Sequence, residues 1–240
     1  MKVIFAGQVP KNISEPDLIE DVYSQENSLI ALCDGASESF DSKTWAKLLA
    51  DKFCHDPEMD SAWINDVICL YSEQFDPQKM SWSKQAAFDR GSFSTLLGIQ
   101  YFASSNTIEI TGIGDTLALL VDCDMEITSF PYASADDFQN RPELLATRPE
   151  YNAFLRAPSH ESFHRKTWHI NDEKSPHILC MTDALAEWVL RSLEKDTSSL
   201  ERLFAINSDV EFEELVLSER SMKNMRIDDA TLIHIVFKDS

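Results

Sequence analysis

Acidic residues recur in this chain where short apolar runs end. Leu29-Ile30-Ala31-Leu32-Cys33 leads into Asp34-Gly35, His177 to Met181 leads into Thr182-Asp183, and Gly112-Ile113-Gly114 leads into Asp115. Two acidic pairs join them: Glu20-Asp21, and Asp228-Asp229 just before the apolar run from Ala230 to Phe237. A continuous apolar run of this length reads as a buried strand, and a following Asp-Gly puts a charge where the strand leaves the core and lets the backbone turn. Carboxylates set at strand ends far apart in sequence are what a metal centre needs if those ends converge. Mg²⁺ and Mn²⁺ prefer oxygen donors, and a two-metal site takes a few carboxylates, one of them bridging. Asp34, Asp183 and Asp228 fit that role. Any one of them alone also fits a turn former or cap, and Asp183 in particular an N-cap at a helix start. The combination carries the case.

Other chemistries have little foothold. The six histidines, His55, His160, His164, His169, His177 and His234, show no HxxxH-like ligand spacing on a helical segment. His160 and His164, four apart, stand beside Pro158 in a stretch with no helical pattern. No GxSxG elbow or Walker loop occurs, so Ser-triad hydrolase and nucleoside-triphosphatase chemistry are not supported. Ser37 and Ser39 read as turn residues. The five cysteines are scattered without a CxxC pair. Cys33 and Cys180 sit inside apolar runs, where cysteine behaves as a small hydrophobe.

The elements that must position the carboxylates follow from periodicity. Residues 2 to 8, 19 to 24 and 29 to 34 are expected as strands, the second carrying Glu20-Asp21. Residues 42 to 53 are expected as a helix with Trp45, Leu48, Leu49 and Phe53 on one face. Residues 61 to 75 repeat the pattern through Trp63, Val67, Leu70 and Tyr71, and 80 to 88 extend the helical layer. The aromatic stripes are core packing. Residues 92 to 102, 107 to 113, 116 to 121 and 125 to 130 read as an antiparallel meander separated by polar turns. Residues 132 to 159, broken by Pro142, Pro149 and Pro158, are irregular. Strands are expected again over 162 to 170 and 177 to 181, helices over 184 to 193 and 209 to 219, and a closing strand over 230 to 237. This order predicts an α+β fold of mostly antiparallel sheets covered by helices, since the βαβ alternation of a parallel sheet is absent.

At 240 residues, 43% hydrophobic and 26% charged, the chain is expected to form one domain over residues 1–240. Lys and Arg number 21 against 41 Asp and Glu, a net charge of −20. Phosphate backbones and anionic membranes need clustered cations, so nucleic acid and membrane are not expected as partners; a divalent metal or a cationic peptide suits this field better. The charge equally serves solubility. No apolar run approaches a membrane span, and the N-terminus turns polar too soon for an export signal. An odd cysteine count then points to the reducing cytoplasm.

In order, Glu20-Asp21, Asp34-Gly35, Gly91-Ser92-Phe93-Ser94-Thr95-Leu96-Leu97, Gly114-Asp115-Thr116, Thr182-Asp183 and Asp228-Asp229-Ala230-Thr231 resemble the motif series of the metal-dependent (type 2C) Ser/Thr protein phosphatases, as a divergent, bacterial-type member. The resemblance spans residues 20 to 237. It implies a four-layer αββα sandwich of two mostly antiparallel sheets flanked by helices, with two Mn²⁺ or Mg²⁺ ions in a cleft. Carried over, Asp34 would bridge both ions and Gly35 would offer its carbonyl. Asp183 and Asp228 would complete one metal, and Glu20 of the Glu20-Asp21 pair would hold the other directly or through water. Asp115 matches a position tied to a third, weaker metal. The implied reaction is hydrolysis of phosphoserine or phosphothreonine in a phosphorylated protein, by a metal-bridged hydroxide in line with the leaving group and without a covalent intermediate. Three departures stand out. Ser14 to Asp17 occupy the stretch where the family often places a phosphate-clamping Arg, leaving Lys11 as the nearest cation, without the bidentate fork. Ala36 stands where some relatives carry a His, and Ala184 replaces a glycine after Asp183. The missing Arg motivates an alternative, a pseudophosphatase that binds or regulates with the same fold. A different two-metal hydrolase, acting on small phosphoesters or nucleic acid, is a third reading, and the net charge of −20 disfavours its nucleic-acid form.

Overall fold

The apolar runs form strands and the amphipathic runs form helices in the computed structural model, which describes residues 1–156, 164–171 and 174–237. The first half of the chain carries β1 (Lys2–Val9), β2 (Val22–Glu26), β3 (Leu29–Cys33), α1 (Ser42–His55), α2 (Ser61–Ser72) and α3 (Trp82–Arg90). Then come β4 (Phe93–Ser94), β5 (Leu96–Phe102), β6 (Thr107–Ile113), β7 (Leu117–Val121), β8 (Ile127–Phe130) and β9 (Leu145–Ala146). The last third holds β10 (Arg165–His169), β11 (His177–Met181), α4 (Asp183–Leu193), α5 (Ser198–Phe204), α6 (Asp209–Ser221) and β12 (Ala230–Val236).

Two units share these elements. The first comprises Met1–Asp21, Asp115–Pro142 and His169–Ser240. Its sheet runs β1-β12-β11-β7-β8 with antiparallel pairings throughout. Helices α4, α5 and α6 bury Leu185, Trp188, Val189, Leu200, Leu203, Phe212 and Val216 in one cluster with Leu117, Leu119, Leu179 and Leu232 from the strands. The second unit comprises Val22–Gly114 and Glu143–Trp168. Its sheet runs β10-β6-β5-β3-β2, beside a short β4-β9 pair. Ala31 and Cys33 of β3 pack in one cluster with Trp45, Leu49 and Phe53 of α1 and Trp63, Val67 and Tyr71 of α2. Ile30 and Leu32, on the opposite face of β3, are buried as well. Burial of both faces explains why this strand reads as an unbroken apolar run rather than an alternating one.

The helix starts follow local chemistry. Asp41 and Asp60 cap α1 and α2 by accepting the amides of Thr44 (3.1 Å) and Trp63 (2.7 Å), and Ser208 caps α6. Gly98 on β5 has a packing reason: a Cβ there would lie 2.2 Å from the Phe53 ring, so only glycine lets α1 approach this closely.

Several expectations change. The strand placed at 19 to 24 begins at Val22, so Glu20-Asp21 precede it. The segment 92 to 102 breaks at Thr95 into β4 and β5. The meander is two separate hairpins, β5–β6 in one sheet and β7–β8 in the other, because Gly114 (φ 99°) turns the chain out of β6 before β7 begins. Leu70 is largely exposed and Ile64 takes its place in the buried stripe of α2. Helix α5 had no counterpart in the sequence reading. The irregular stretch contains short 3₁₀ turns at Ala135–Gln139 and Pro149–Arg156. The strand expected over 162 to 170 is seen as β10; its first residues, and His160, lie outside the described residues.

Candidate functional site

In the first unit the acidic motifs lie where β1 and β11 end and β12 begins. Asp21 is buried, and its Oδ2 accepts the hydroxyls of Thr182 (2.9 Å) and Thr231 (2.6 Å). Thr182 in turn accepts the amide of Thr231 at 2.9 Å. One carboxylate therefore ties together the residue before Asp183 and the residue two after Asp229. Thr182 is the N-cap residue of α4, but its hydroxyl is committed to Asp21 and makes no cap bond; Asp183 is the first residue of that helix. Burial pushes the Asp21 carboxyl up to about 7, opposed by the Thr231 and Thr182 hydroxyls and reinforced by the charges of Asp229 and Asp228.

Asp229 is nearly buried and accepts two backbone amides, Lys11 N–H at 2.7 Å and Glu20 N–H at 2.8 Å. It pins both ends of the polar connection between Lys11 and Glu20. Asp228 accepts the amide of Asp229 at 2.9 Å, and its carbonyl accepts the guanidinium of Arg220, which also reaches the carbonyl of Pro10 at 2.9 Å. The side chain of Glu20 meets Lys11 Nζ at 2.6 Å, and this pairing raises the Lys11 pKa against the opposing effect of its partial burial. Asp183 forms an ion pair with Arg226, which lies 4.0 Å from Glu187 as well. Burial raises the pKa of Asp115; Arg226 opposes the shift and Asp228 adds to it, so these three groups share one electrostatic neighbourhood.

In the second unit, Asp34 and Gly35 are held by the segment Gly91 to Thr95. The Asp34 amide donates to Thr95 Oγ1 (2.8 Å), and its carbonyl accepts the Thr95 amide (2.9 Å) and Ser94 Oγ (2.8 Å). Gly35 bridges to Ser94, and the Ala36 amide donates to the Phe93 carbonyl at 2.9 Å. Gly91 supplies the left-handed turn (φ 93°) that ends α3 and starts this segment. The Gly-x-x-x-Thr spacing is thus the device that fixes the backbone of Asp34.

Among the described residues no three His, Cys, Asp or Glu side chains stand together in a metal-ligating group. The donor set of the first unit nevertheless fits a hard divalent cation. Its groups are all carboxylates, and Oδ1 of Asp183 and Oδ1 of Asp21 are buried with no hydrogen-bond partner. A buried acceptor without a donor is costly, and a cation would satisfy it. Glu20, Asp21, Asp115, Asp183 and Asp228 are therefore brought into one unit, while Asp34 and Gly35 belong to the other.

The fold is shared with solved Ser/Thr phosphatases. Stp1 from Staphylococcus aureus, described as a serine/threonine phosphatase, matches with a TM-score of 0.57 at 16% identity, over 99% of this chain and 96% of that one. The catalytic domain of the serine/threonine protein phosphatase PstP, solved in complex with two manganese ions, matches at 0.56 and 17% identity, over 98% and 99%. The photosystem II phosphatase PBCP matches at 0.60 and 10% identity, over 98% of each chain. No family model and no curated protein matches the sequence. The likeness is one of fold: mixed α+β, with two large antiparallel sheets flanked by helices, as the sequence led one to expect.

Arg226 is the site residue that sequence reading missed. Its guanidinium stands two residues ahead of Asp228 in sequence but pairs with Asp183 from another element. The bracing hydroxyls of Thr95, Thr182 and Thr231 stood inside the motifs without an assigned role, and Asp229 serves as a clamp on the Lys11–Glu20 loop.

Proposed function

We propose that the protein is a Mn²⁺- or Mg²⁺-dependent phosphatase acting on phosphoserine and phosphothreonine in proteins. The observation that carries the reading is the carboxylate Asp183, seated at a helix start with its inner oxygen buried and unpartnered, on a fold shared over nearly its full length with Ser/Thr phosphatases. Asp183 and Asp228 would hold a divalent ion, with Glu20 and Asp115 beside them; Asp34 and Gly35 enter through the sequence resemblance. The whole chain, residues 1–240, is taken as one phosphatase domain. Bound metal would supply an activated water and neutralise charge on the phosphoryl group.

The remaining roles belong to the chain itself. Asp21 holds Thr182 and Thr231 in register, which fixes the backbones on either side of the ligands. Asp229 fixes Lys11 and Glu20. Arg226 and Lys11 form ion pairs with these carboxylates, and Arg226 offers the planar fork suited to a phosphate. A cytoplasmic location belongs to the same reading; the five cysteines are unpaired, and no helix among the described residues is long and apolar enough to cross a membrane. The Arg226–Asp183 ion pair favours one competing reading, a pseudophosphatase whose ligand carboxylate is already neutralised by the chain. Calorimetric titration with Mn²⁺, paired with p-nitrophenyl phosphate turnover, separates the two. Binding with turnover that Asp228→Asn abolishes supports the enzyme. Binding with no turnover, on p-nitrophenyl phosphate and phosphopeptides alike, supports the regulatory module.

A further inference from the structure

Cations are scarce in this chain, 21 Lys and Arg against 41 acidic residues, yet they concentrate beside α4 and α6. Two adjoining cavities of about 480 and 290 Å³ share Trp188, Arg191, Lys223 and Asn224 in their walls. Lys195 and Arg202 line the larger one, and Arg220 and Arg226 the smaller. All of these residues belong to the first unit. Arg220 is buried and occupied with backbone carbonyls, but Arg191, Lys195, Arg202, Lys223 and Arg226 are exposed. Four carboxylates temper them: Asp183 pairs with Arg226, Glu187 with Arg191 and Glu219 with Arg202 at 2.5 Å, and Asp196 is lowered in pKa chiefly by its bonds to Ser198, with Lys195 contributing. Lys223 makes no ion pair among the described residues. It also adopts a left-handed backbone (φ 60°) at the end of α6, a position that favours glycine or asparagine. The floor is the indole of Trp188, with the Arg202 guanidinium 5.5 Å over its ring, and the apolar side chains of Met222 and Ile227 stand exposed at the two cavities.

We propose that this groove docks an acidic segment of a protein, with carboxylates on Arg191, Lys195 and Lys223 and apolar side chains against Met222 and Ile227. Arg226 ends the groove on Asp183, so a segment lying here leads to the acidic group of the first unit. Taking that segment as part of the phosphoprotein substrate rests on the phosphatase reading; the groove itself does not. Charge chooses the class of partner. Carboxylates interleave with the cations and the single aromatic ring lining the cavities is almost wholly covered, so a phosphodiester backbone finds neither a continuous track nor a stacking platform. Short carboxylate patterns match spaced, fork-shaped donors.

The test is fluorescence anisotropy of a fluorescein-labelled, unphosphorylated decapeptide of glutamate, leucine and glycine, titrated with the full chain in chelator at low and physiological salt. The groove predicts saturable binding that weakens with salt. Arg191→Glu with Lys223→Glu weakens it by about tenfold, Arg191→Gln with Lys223→Gln weakens it less, and Lys79→Glu with Lys84→Glu, equal in charge and lining neither cavity, leaves it unchanged. Circular dichroism checks that each variant folds. Equal binding by the groove and control variants, absence of wild-type binding, or tighter binding of a single-stranded oligonucleotide of matched charge overturns the proposal. Because metal and phosphate are absent, loss of this binding leaves the phosphatase reading standing, and an inert phosphatase leaves the groove standing.

Discussion

Thr95→Val is the sharpest probe of how the chain fixes Asp34. Valine keeps the branched shape of threonine but puts a methyl where the hydroxyl stood, so little cavity opens and the main change is loss of the hydrogen-bonding group. That hydroxyl accepts the Asp34 amide at 2.8 Å, and Thr95 is 2% exposed. The amide of the partly buried Asp34 would then face a buried methyl group instead of its acceptor, which costs about 2 kcal/mol. Thr95→Ser keeps the acceptor and removes only the methyl group, whose packing lies over Gly114: a Cβ built there would sit 2.5 Å from it. Loss of one buried methyl costs about 1 kcal/mol. Urea unfolding followed by tryptophan fluorescence should therefore rank the variants wild type, Ser, Val, with the valine midpoint lower by roughly 1 M for a slope of about 2 kcal/mol/M. If valine proves as stable as serine, the hydroxyl does not hold the Asp34 backbone and the role assigned to the Gly-x-x-x-Thr segment is wrong.

Two further outcomes follow from the first unit. His234 is buried on β12, 2.7 Å from Nδ1 of His177, and burial together with that neighbour lowers its pKa from 6.5 to about 4. A depressed folded-state value means its contribution is present above pH 6.5 and lost as pH falls toward 4. The loss reaches about 2 kcal/mol at pH 5, and His234→Leu should flatten the pH dependence of urea unfolding over that window; an unchanged slope would remove His234 as the cause. Arg226→Gln removes the cation from Asp183, so Mn²⁺ affinity measured by calorimetry should rise several-fold, by about 1 kcal/mol for a half-exposed pair. A fall in affinity would show that Arg226 supports the metal site rather than competing for it.

Much of the fold was legible because burial leaves a mark on sequence. The stripe Trp45, Leu49 and Phe53 gave α1, and Leu185, Trp188 and Val189 gave α4, since each faces a single core. The assignment of hairpins to sheets was not legible. Strands β5 to β8 carry similar apolar patterns, and only the backbone turn at Gly114 divides them. Leu70 misled because periodicity marks a face but not its edge. For the site, Asp-Gly and Thr-Asp at strand ends were visible as local chemistry. The bonds that organise them were not: Asp21 reaches Thr182 across 161 positions and Thr231 across 210, and no spacing rule encodes such pairs. Arg226 escaped for a related reason, since its partner Asp183 lies at the start of another element.

The most direct test of the central claim is release of phosphate from a phosphothreonine peptide, measured with Mn²⁺, with Mg²⁺ and with chelator, for wild type beside Asp183→Asn. The account predicts turnover with metal, none with chelator, and a fall of at least about a hundredfold in the variant, whose circular dichroism stays native. Turnover that persists in chelator or in Asp183→Asn would contradict it.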